Sequence, residues 1–529
     1  MMPITGDNFI GFSRSAIEKN YLKAVDPLTG QNLPEKFVSA SSEEIELAMH
    51  LATKASITYR KMDGAAKATF LDAIADEILA LGDELVDRAV LETALPPARI
   101  MGERGRTVGQ LRLFANLIRE GSWCEPVIEY ADPDRQPLPK PDIRRMLMAM
   151  GPVVVFAASN FPLAFSTAGG DTASALAGGN PVIVKAHSSH MGTSELVASA
   201  IIAAARKTRM PEGVFSMVFG DGQTVGQHLI QHPSVKAAAF TGSQSAGRLL
   251  FDLATRRPNP IPFFAEMGSL NPVLLCPDAL RKRGAEIAHD FAASVTLGCG
   301  QFCTKPGLFF AQDGPELDAF IRDFTASMEK TQPVTMLNPK IHRQFTAGRN
   351  QALEQPGVQI LAYSEAAADL TAHEGQPTLF VISAEDFMDN PTLRHEIFGP
   401  YALVVRCPNK TQMVAALETL EGQLTATVIA ENEEMEDMQM IIDLLIEKAG
   451  RVIHNGVPTG VEVCSAMQHG GPYPAATDAR FTSVGSAAIK RFARPVSFQD
   501  WPQALLPDEL KNGNPLKVWR LVNNEMTNA

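Results

Sequence analysis

From residue 151 onward, short apolar runs alternate with segments of helical pattern, and this alternation constrains the fold more than any other feature. The first series of strands reads VVVFAAS, PVIVKAH, VFSMVFG and KAAAFTG, and a second series lies near 272–276, 307–311, 402–406 and 426–430. Apolar strands without polar alternation, separated by helices, indicate parallel sheets covered on both faces. The sequence therefore predicts an α/β protein with two doubly wound parallel-sheet domains.

The segments outside these two series differ in character. Amphipathic helices are predicted at 41–60, capped by Ser41 or Ser42, at about 65–92 and at about 97–119. Residues 125–145 are extended and proline-rich, which is typical of a projecting hairpin or arm rather than of a core.

Composition limits the partners that this chain can have. Its 529 residues carry 47 Lys+Arg against 59 Asp+Glu, a formal charge of −12, without the concentrated basic surface that nucleic acid requires. The N-terminus does not resemble a secretory signal, and the most apolar run, 196–205, is about half as long as a membrane span. Six cysteines without a CxxC pair predict a reduced, cytoplasmic protein. The charge and the short apolar run predict that it has no nucleic-acid or membrane partner.

Cys303 is the strongest candidate nucleophile. It lies in GCGQFCTKPG, where glycines at 298, 300 and 307 allow close approach of a ligand to a soft thiol. An attacking thiol must be accessible and partly ionised. A buried structural cysteine in a glycine-rich loop explains the same pattern equally well, and Cys299 in this loop is expected to serve packing.

Two carboxylates and one amide stand in unusual places. Glu266 directly follows an apolar run, and Glu396 lies between a helix end and a Gly-Pro turn. A buried carboxylate has a raised pKa and suits general-base work. Asn160, between a buried strand and a helix, can donate to an oxyanion. Each side chain can also simply satisfy backbone groups.

Taken together and in this order, these residues and their neighbours form a specific pattern. From about residue 20 to 500 the chain resembles the aldehyde dehydrogenase superfamily. The matching motifs are SNFP at 159–162, Lys185 in PVIVKAH, PEGVF at 211–215, FTGS at 240–243, EMG at 266–268, GQFC at 300–303 and EIFGP at 396–400.

The resemblance implies a division of the chain. It implies a cofactor-binding domain at 1–124 and 148–265, a catalytic domain at 266–479, an oligomerisation arm at 125–147 and 480–500, and a C-terminal tail at 501–529. The family's arm pairs across subunits, so we expect a homodimer or a homotetramer built from dimers.

The resemblance also implies a catalytic sequence. The Cys303 thiolate attacks the aldehyde, and Asn160 with the Cys303 backbone N–H holds the oxyanion. Hydride transfer leaves a thioester, which water activated by Glu266 hydrolyses. Covalent capture divides one difficult oxidation into two easier steps. No metal is expected.

For the cofactor, the resemblance implies that Lys185 reaches the adenosine ribose, Glu396 holds the nicotinamide ribose and Phe398 packs on the nicotinamide. NAD-preferring members of the family often carry glutamate at the position of Ser188. A serine does not repel a 2′-phosphate, which favours NADP over NAD, with use of both still plausible. The predicted cofactor site consists of Lys185, Ser188, Gly242, Ser243, Gly268, Glu396 and Phe398.

For the substrate, the segments around Asn160 and Cys303 look closest to a subgroup that oxidises 2-oxoglutarate semialdehyde (2,5-dioxopentanoate). The product would be 2-oxoglutarate, in sugar-acid or hydroxyproline breakdown. A carboxylated aldehyde requires a cation in the tunnel, and Arg106 is the candidate, unless its helix face is simply solvated. The predicted substrate residues are Arg106, Gln110, Phe165 and His469, the last a polar residue where family tunnels are often aromatic.

Three other functions remain open. The same subgroup contains an NADP-dependent fatty aldehyde dehydrogenase. A cysteine hydrolase or thioesterase could use Cys303 and Glu266 without a cofactor, and a non-catalytic binding protein could retain the fold. Retention of Lys185, Glu396 and Phe398 argues against the hydrolase.

Overall fold

The computed structural model describes residues 4–529, and its first large sheet confirms the predicted parallel core. Five parallel strands lie side by side, and an antiparallel pair from the N-terminus extends one edge. The strands, in spatial order, are Phe263–Glu266, Ala237–Thr241, Val153–Phe156, Val182–Lys185, Phe215–Val218, Asn8–Ile10 and Ser13–Ser15.

This sheet is buried on both faces, which is why its strands are continuously apolar. In the strand Val153–Phe156, Val153 and Val155 pack into one hydrophobic cluster, whereas Val154 and Phe156 pack into another on the opposite face. Alternate side chains of a strand point to opposite faces, so both faces here must be apolar.

Some of the helices that cover the first sheet begin at polar N-cap residues such as Ser41 and Asp63. Ser41 caps the first helix through a reciprocal pair of hydrogen bonds with Glu44, as its sequence predicts. The single helix predicted over 65–92 is wrong: the chain breaks at Gly82, which adopts a left-handed φ of +57°. The helices are Ser42–Tyr59, Gly64–Ala80, Gly82–Thr93, Pro97–Glu120, Gly170–Ala177, Met191–Lys207, Gln227–Gln231 and Gln244–Thr255.

A second large sheet follows in the chain and has the same doubly wound construction. Six of its strands are parallel, and the edge strand Gln359–Tyr363 is antiparallel to its neighbour. In spatial order the strands are Gln359–Tyr363, Thr378–Ser383, Tyr401–Cys407, Leu308–Gln312, Val273–Leu275, Gln423–Ile429 and Ala449–His454. Its helices are Pro277–Thr296, Pro315–Lys330, Pro339–Leu353, Ala384–Asp389, Lys410–Glu418, Asn432–Met435 and Gln439–Lys448.

A third, five-stranded sheet forms from the proline-rich segment and the end of the chain. Strand Ile143–Ala149 pairs with Ala493–Gln499 on one side and with Val127–Glu129 on the other. The tail contributes as well, since Arg520–Val522 pairs with Val127–Glu129 and Glu525–Thr527 adds a last strand. The sheet therefore includes part of the segment that the sequence analysis assigned to a separate tail.

Within residues 4–529, no helix is both long enough and apolar enough to cross a membrane.

Candidate active site

A cleft of about 890 Å³ opens at the carboxyl ends of the strands of the first sheet. Ser188, Thr241 and Glu266 line it, and each lies at or just after the end of one of these strands. Ligands of open α/β sheets bind at this edge. Cys303 and Glu396 line the same cleft from segments of the second sheet's domain, so residues from both domains meet around one cavity.

A tightly constrained loop presents Cys303 to the cleft. Gly298, Cys299 and Gly300 in succession adopt left-handed φ values of +56°, +58° and +63°. A β-carbon on Gly300 would lie 2.3 Å from the backbone of Gly399, so only glycine permits this contact. Cys299 is buried and its thiol contacts backbone carbonyls, which is the packing role expected from the sequence.

The carbonyl group of Cys303 is fixed by a residue that the sequence analysis did not identify. The amide of Asn271 donates to the carbonyl oxygens of Cys303 and Lys305, both at 2.9 Å. Asn271 is fully buried and holds a left-handed φ of +51°, which asparagine tolerates better than most residues. This side chain therefore fixes the backbone on which the nucleophile is mounted.

The Cys303 thiol, the His469 ring and the Glu266 carboxylate form one contiguous cluster. His469 Nε2 lies 3.5 Å from Cys303 Sγ and 3.0 Å from Glu266 Oε1. The Ser483 hydroxyl donates to the other oxygen, Oε2 of Glu266, at 2.7 Å. The ligand atoms of the first three residues lie within 4.8 Å of one another, close enough to hold a metal ion as well as to exchange a proton.

Burial and charge set the protonation of this cluster. Burial alone would raise the pKa of Glu266, but the close contact with the His469 ring and the hydrogen bond from Ser483 outweigh it and lower the pKa to about 2. Burial raises the pKa of the Cys303 thiol well above its usual range, the negative charge of Glu266 raises it further, and Arg106 opposes both effects. Glu266 is therefore a carboxylate at neutral pH, and the thiol needs help to ionise.

The side-chain amide of Asn160 contacts the loop that carries the nucleophile. One amide hydrogen of Asn160 Nδ2 is donated to the carbonyl of Gln301 at 3.0 Å, and the second remains for a ligand in the cleft. No residue of 4–529 accepts a hydrogen bond from the backbone N–H of Cys303. An oxyanion site requires free donors of this kind beside the nucleophile.

Most of the predicted cofactor residues line the cleft. A side chain at two of them would displace a neighbour, because a β-carbon on Gly242 would lie 2.7 Å from the Phe240 ring and one on Gly268 would lie 2.5 Å from Glu396 Oε2. Ser243 occupies the N-cap position of the helix Gln244–Thr255 without a capping hydrogen bond from its side chain, and a helix N-terminus suits a pyrophosphate. The predicted residues that line the cleft are Ser188, Gly242, Ser243, Gly268, Glu396 and Phe398.

Two charged cofactor residues have shifted pKa values. Lys185 ends the strand Val182–Lys185, where burial lowers its pKa to about 8 in spite of attraction by Asp221. Burial also raises the pKa of Glu396, and the nearby ammonium of Lys305 counteracts this shift. The bare backbone at Gly242 and Gly268 and these polar groups fit a dinucleotide.

The predicted substrate residues divide into two groups. Arg106 is half-buried, its buried Nε and Nη2 atoms have no hydrogen-bond partner within residues 4–529, and its guanidinium lies 5.2 Å from the ring centre of Phe165. Phe165 lines the cleft, whereas Arg106 lies behind it. Gln110 is buried, but it packs against Gly170 and is not among the residues that line the cleft. The structure places His469 against the nucleophile itself, closer to the chemistry than the tunnel wall that the sequence suggests.

Comparison with known proteins agrees with this geometry. Residues 14–492 match the model of the aldehyde dehydrogenase family. The chain is 50% identical to alpha-ketoglutaric semialdehyde dehydrogenase 2 of Azospirillum brasilense, over 98% of this chain and 99% of the relative. It is 45% identical to alpha-ketoglutaric semialdehyde dehydrogenase of Acinetobacter baylyi, over 99% of each chain.

Among solved structures, 1-pyrroline-5-carboxylate dehydrogenase from Thermus with bound NAD superposes with a TM-score of 0.77. The alignment covers 93% of this chain and 92% of that one at 19% sequence identity. Similarity at this level shows a shared fold.

Proposed function

The chain belongs to the aldehyde dehydrogenase family, and on this premise we propose that it oxidises 2-oxoglutarate semialdehyde to 2-oxoglutarate with a pyridine nucleotide. The family establishes an oxidoreductase that acts on aldehydes. The names of the two relatives at 50% and 45% identity support this particular aldehyde.

In the proposed mechanism, the Cys303 thiolate attacks the aldehyde carbon and forms a thiohemiacetal. Asn160 Nδ2 and the Cys303 N–H donate to its oxyanion. A pyridine nucleotide bound in the cleft supplies the hydride acceptor, and Cys303 is left as a thioester. Glu266 then takes a proton from water, the water attacks the thioester, and the acid leaves as the Cys303 thiolate is released.

The observation that carries the choice of substrate is the partnerless guanidinium of Arg106. Buried donor atoms without a partner are costly, and a bound anion would supply the hydrogen bonds that Nε and Nη2 of Arg106 lack within residues 4–529. Its charge interacts with that of Cys303, so it lies near the thiol that would hold the aldehyde. A short aldehyde with a carboxylate at its far end satisfies both groups at once.

Replacing Arg106 by alanine tests this proposal. We expect Arg106→Ala to raise KM for 2-oxoglutarate semialdehyde by about 10- to 100-fold, since a hydrogen bond to a charged group contributes about 1.5–3 kcal/mol. KM for hexanal should change by less than about threefold, because hexanal has no anion for Arg106 to bind. Steady-state rates with both aldehydes provide the measurement.

Arg112→Ala is the matched control, because Arg112 lies on the same helix and pairs with Asp76 at the surface. This variant should leave both KM values unchanged. If Arg106→Ala raises KM equally for both aldehydes, Arg106 does not bind the carboxylate.

A medium- or long-chain fatty aldehyde is the second candidate substrate. An apolar cluster of Phe161, Phe165 and Val484, with Phe302 and Met467 packed against it, adjoins the nucleophile and would suit an alkyl chain. This alternative would be favoured by a higher kcat/KM for decanal than for 2-oxoglutarate semialdehyde and succinic semialdehyde, measured in the same assay with NAD or NADP.

We further propose that NADP is preferred and that NAD is also used. Ser188 lines the cleft with the cationic side chains of Lys340 and Arg343, which favours a 2′-phosphate. Asp221 interacts with the charge of Lys185 and disfavours a phosphate there, which supports continued use of NAD.

Introducing a negative charge at position 188 tests the cofactor preference. We expect Ser188→Glu to raise KM for NADP by about 10- to 100-fold through like-charge repulsion, with KM for NAD unchanged or lowered. Ser188→Ala, which removes only the hydroxyl, should have a much smaller effect on NADP. Equal KM shifts for the two nucleotides in Ser188→Glu would contradict a role for this position in selecting between them.

The arm supports a proposal about assembly. Within residues 4–529, strand Ala493–Gln499 pairs along one edge only, with Ile143–Ala149. A free edge is a template for pairing with another chain. We expect the arm to pair between subunits in a homodimer or a dimer-built tetramer.

All six cysteines are free thiols, which supports a cytoplasmic location.

A further inference from the structure

The His469 ring is held so that one nitrogen faces the nucleophile. His469 is 1% exposed, its backbone N–H donates to Thr482 Oγ1, and its carbonyl oxygen accepts from the Ser483 N–H. Nε2 meets hydrogen-bond geometry with Cys303 Sγ at 3.5 Å. Glu266 Oε1 is nearer, at 3.0 Å, but lies off this direction and has no hydrogen-bond partner within residues 4–529.

The surroundings of the ring indicate which nitrogen carries the proton. Nδ1 of His469 is buried and has no hydrogen-bond partner within residues 4–529. A buried N–H without an acceptor is rarer than a buried acceptor that is only partly satisfied. A proton on Nε2 avoids an orphaned N–H and places the donor between the Cys303 sulfur and the Glu266 carboxylate. Nε2 is therefore the donor atom of this ring.

The sulfur is the neighbour that benefits most from this donor. A thiol is a weak acceptor, whereas a thiolate is a full negative charge, and hydrogen bonds to charged groups are about twice as strong as neutral ones. The thiolate must form in a buried place beside a carboxylate, and both conditions oppose it. The ionisable groups that face Cys303 are Glu266, His469, Arg106, Glu396 and Arg451.

We propose that His469 stabilises the Cys303 thiolate through a hydrogen bond from Nε2–H. The S–H bond of Cys303 breaks as its proton passes to water in the cleft, and the His469 N–H bond remains intact throughout. The same N–H stabilises the sulfur again when hydrolysis of the thioester expels Cys303 as a thiolate.

This inference rests on the proposed role of Cys303 as the nucleophile and is independent of which aldehyde is oxidised. It can therefore be tested without any aldehyde, through the rate at which iodoacetamide alkylates the Cys303 thiol of the full-length enzyme. Mass spectrometry of the Cys303 peptide gives this rate as a function of pH. Cys464, which is partly exposed, provides an internal reference in the same sample.

Two substitutions separate the hydrogen bond from packing. His469→Phe keeps an aromatic ring and removes the donor, whereas His469→Gln keeps an N–H near the position of Nε2. In His469→Phe we expect the pH midpoint of Cys303 alkylation to rise by about one unit or more, with an approximately tenfold slower reaction at neutral pH. In His469→Gln most of the wild-type rate should return, and the Cys464 rate should be constant in all variants.

Two results would overturn the inference. The first is an unchanged pH midpoint in His469→Phe, with a Cys303 alkylation rate within twofold of wild type. The second is an equally slow alkylation in the phenylalanine and glutamine variants, which indicates a packing role alone. If His469→Phe does not fold, comparison of His469→Gln with His469→Asn decides, because the asparagine amide is too short to reach the sulfur. Loss of aldehyde oxidation with unchanged alkylation would count against the proposed substrate and not against His469.

Discussion

Substitution of Cys303 by alanine is expected to reduce aldehyde oxidation by at least about 10⁴-fold, since removing a covalent nucleophile typically costs this much or more. Without the thiol no thiohemiacetal forms, and the aldehyde carbon never reaches the state from which a hydride leaves. Binding of the nucleotide should persist, because Cys303 is not among the residues expected to bind it. The measurements are formation of reduced nucleotide and calorimetric titration with NADP.

Cys124→Ala is the control for the general loss of a thiol. Cys124 is buried in the apolar cluster beside the arm sheet and does not line the cleft, so this variant should oxidise aldehydes at the wild-type rate. Turnover of Cys303→Ala within tenfold of wild type would show that another group performs the attack. Acid formation by the wild-type enzyme without any nucleotide would instead support the hydrolase alternative.

The fold could be predicted from the sequence because both large sheets depend on local patterns. Continuous apolar strands such as Val153–Phe156 indicate burial on two faces, and the helices between them require parallel pairing. Element boundaries and distant pairings could not be predicted in this way. The break at Gly82 depends on one backbone conformation, and strand Arg520–Val522 joins the arm by pairing with residues nearly four hundred positions earlier.

The candidate site divides along the same line. Cys303, Glu266 and Asn160 stand in short motifs at strand ends and loops, so the sequence and the family resemblance are sufficient to propose them as catalytic residues. Asn271 and Ser483 act through hydrogen bonds to Cys303 and Glu266, residues 32 and 217 positions away, and these bonds exist only in the folded chain. Such contacts leave no periodic or spacing signal in the chain.

His469 is the most informative of these cases, because a signal existed and pointed to a different role. A polar residue where the family is often aromatic suggested a polar substrate. The structure brings its ring to the sulfur across 166 positions of sequence. A polar side chain at an aromatic position identifies a specialised site, but only the fold shows whether it contacts substrate or nucleophile.

Glu266 provides the second large expected effect, and this effect is confined to particular steps. We expect Glu266→Gln to reduce steady-state turnover by about 10²- to 10⁴-fold, the range for loss of a general base. The thiohemiacetal can still form and lose its hydride, so each active site should release one equivalent of reduced nucleotide and then stall as a Cys303 thioester. Rapid-quench mass spectrometry of the Cys303 peptide detects the stalled intermediate.

The lowered pKa of Glu266 determines the pH dependence expected of the wild-type enzyme, with which the variant is compared. Because that pKa is lowered to about 2, the wild-type carboxylate is ionised throughout the working range, and its titration cannot limit hydrolysis near neutrality. Raising the pH should therefore accelerate the single burst of Glu266→Gln, as more thiol ionises, without restoring rapid turnover. Ser483→Ala keeps the carboxylate and loses one hydrogen bond of about 1 kcal/mol, so the turnover rate should fall by less than about tenfold. Rapid linear turnover by Glu266→Gln, with no accumulated thioester, would assign activation of water to another residue of the cluster.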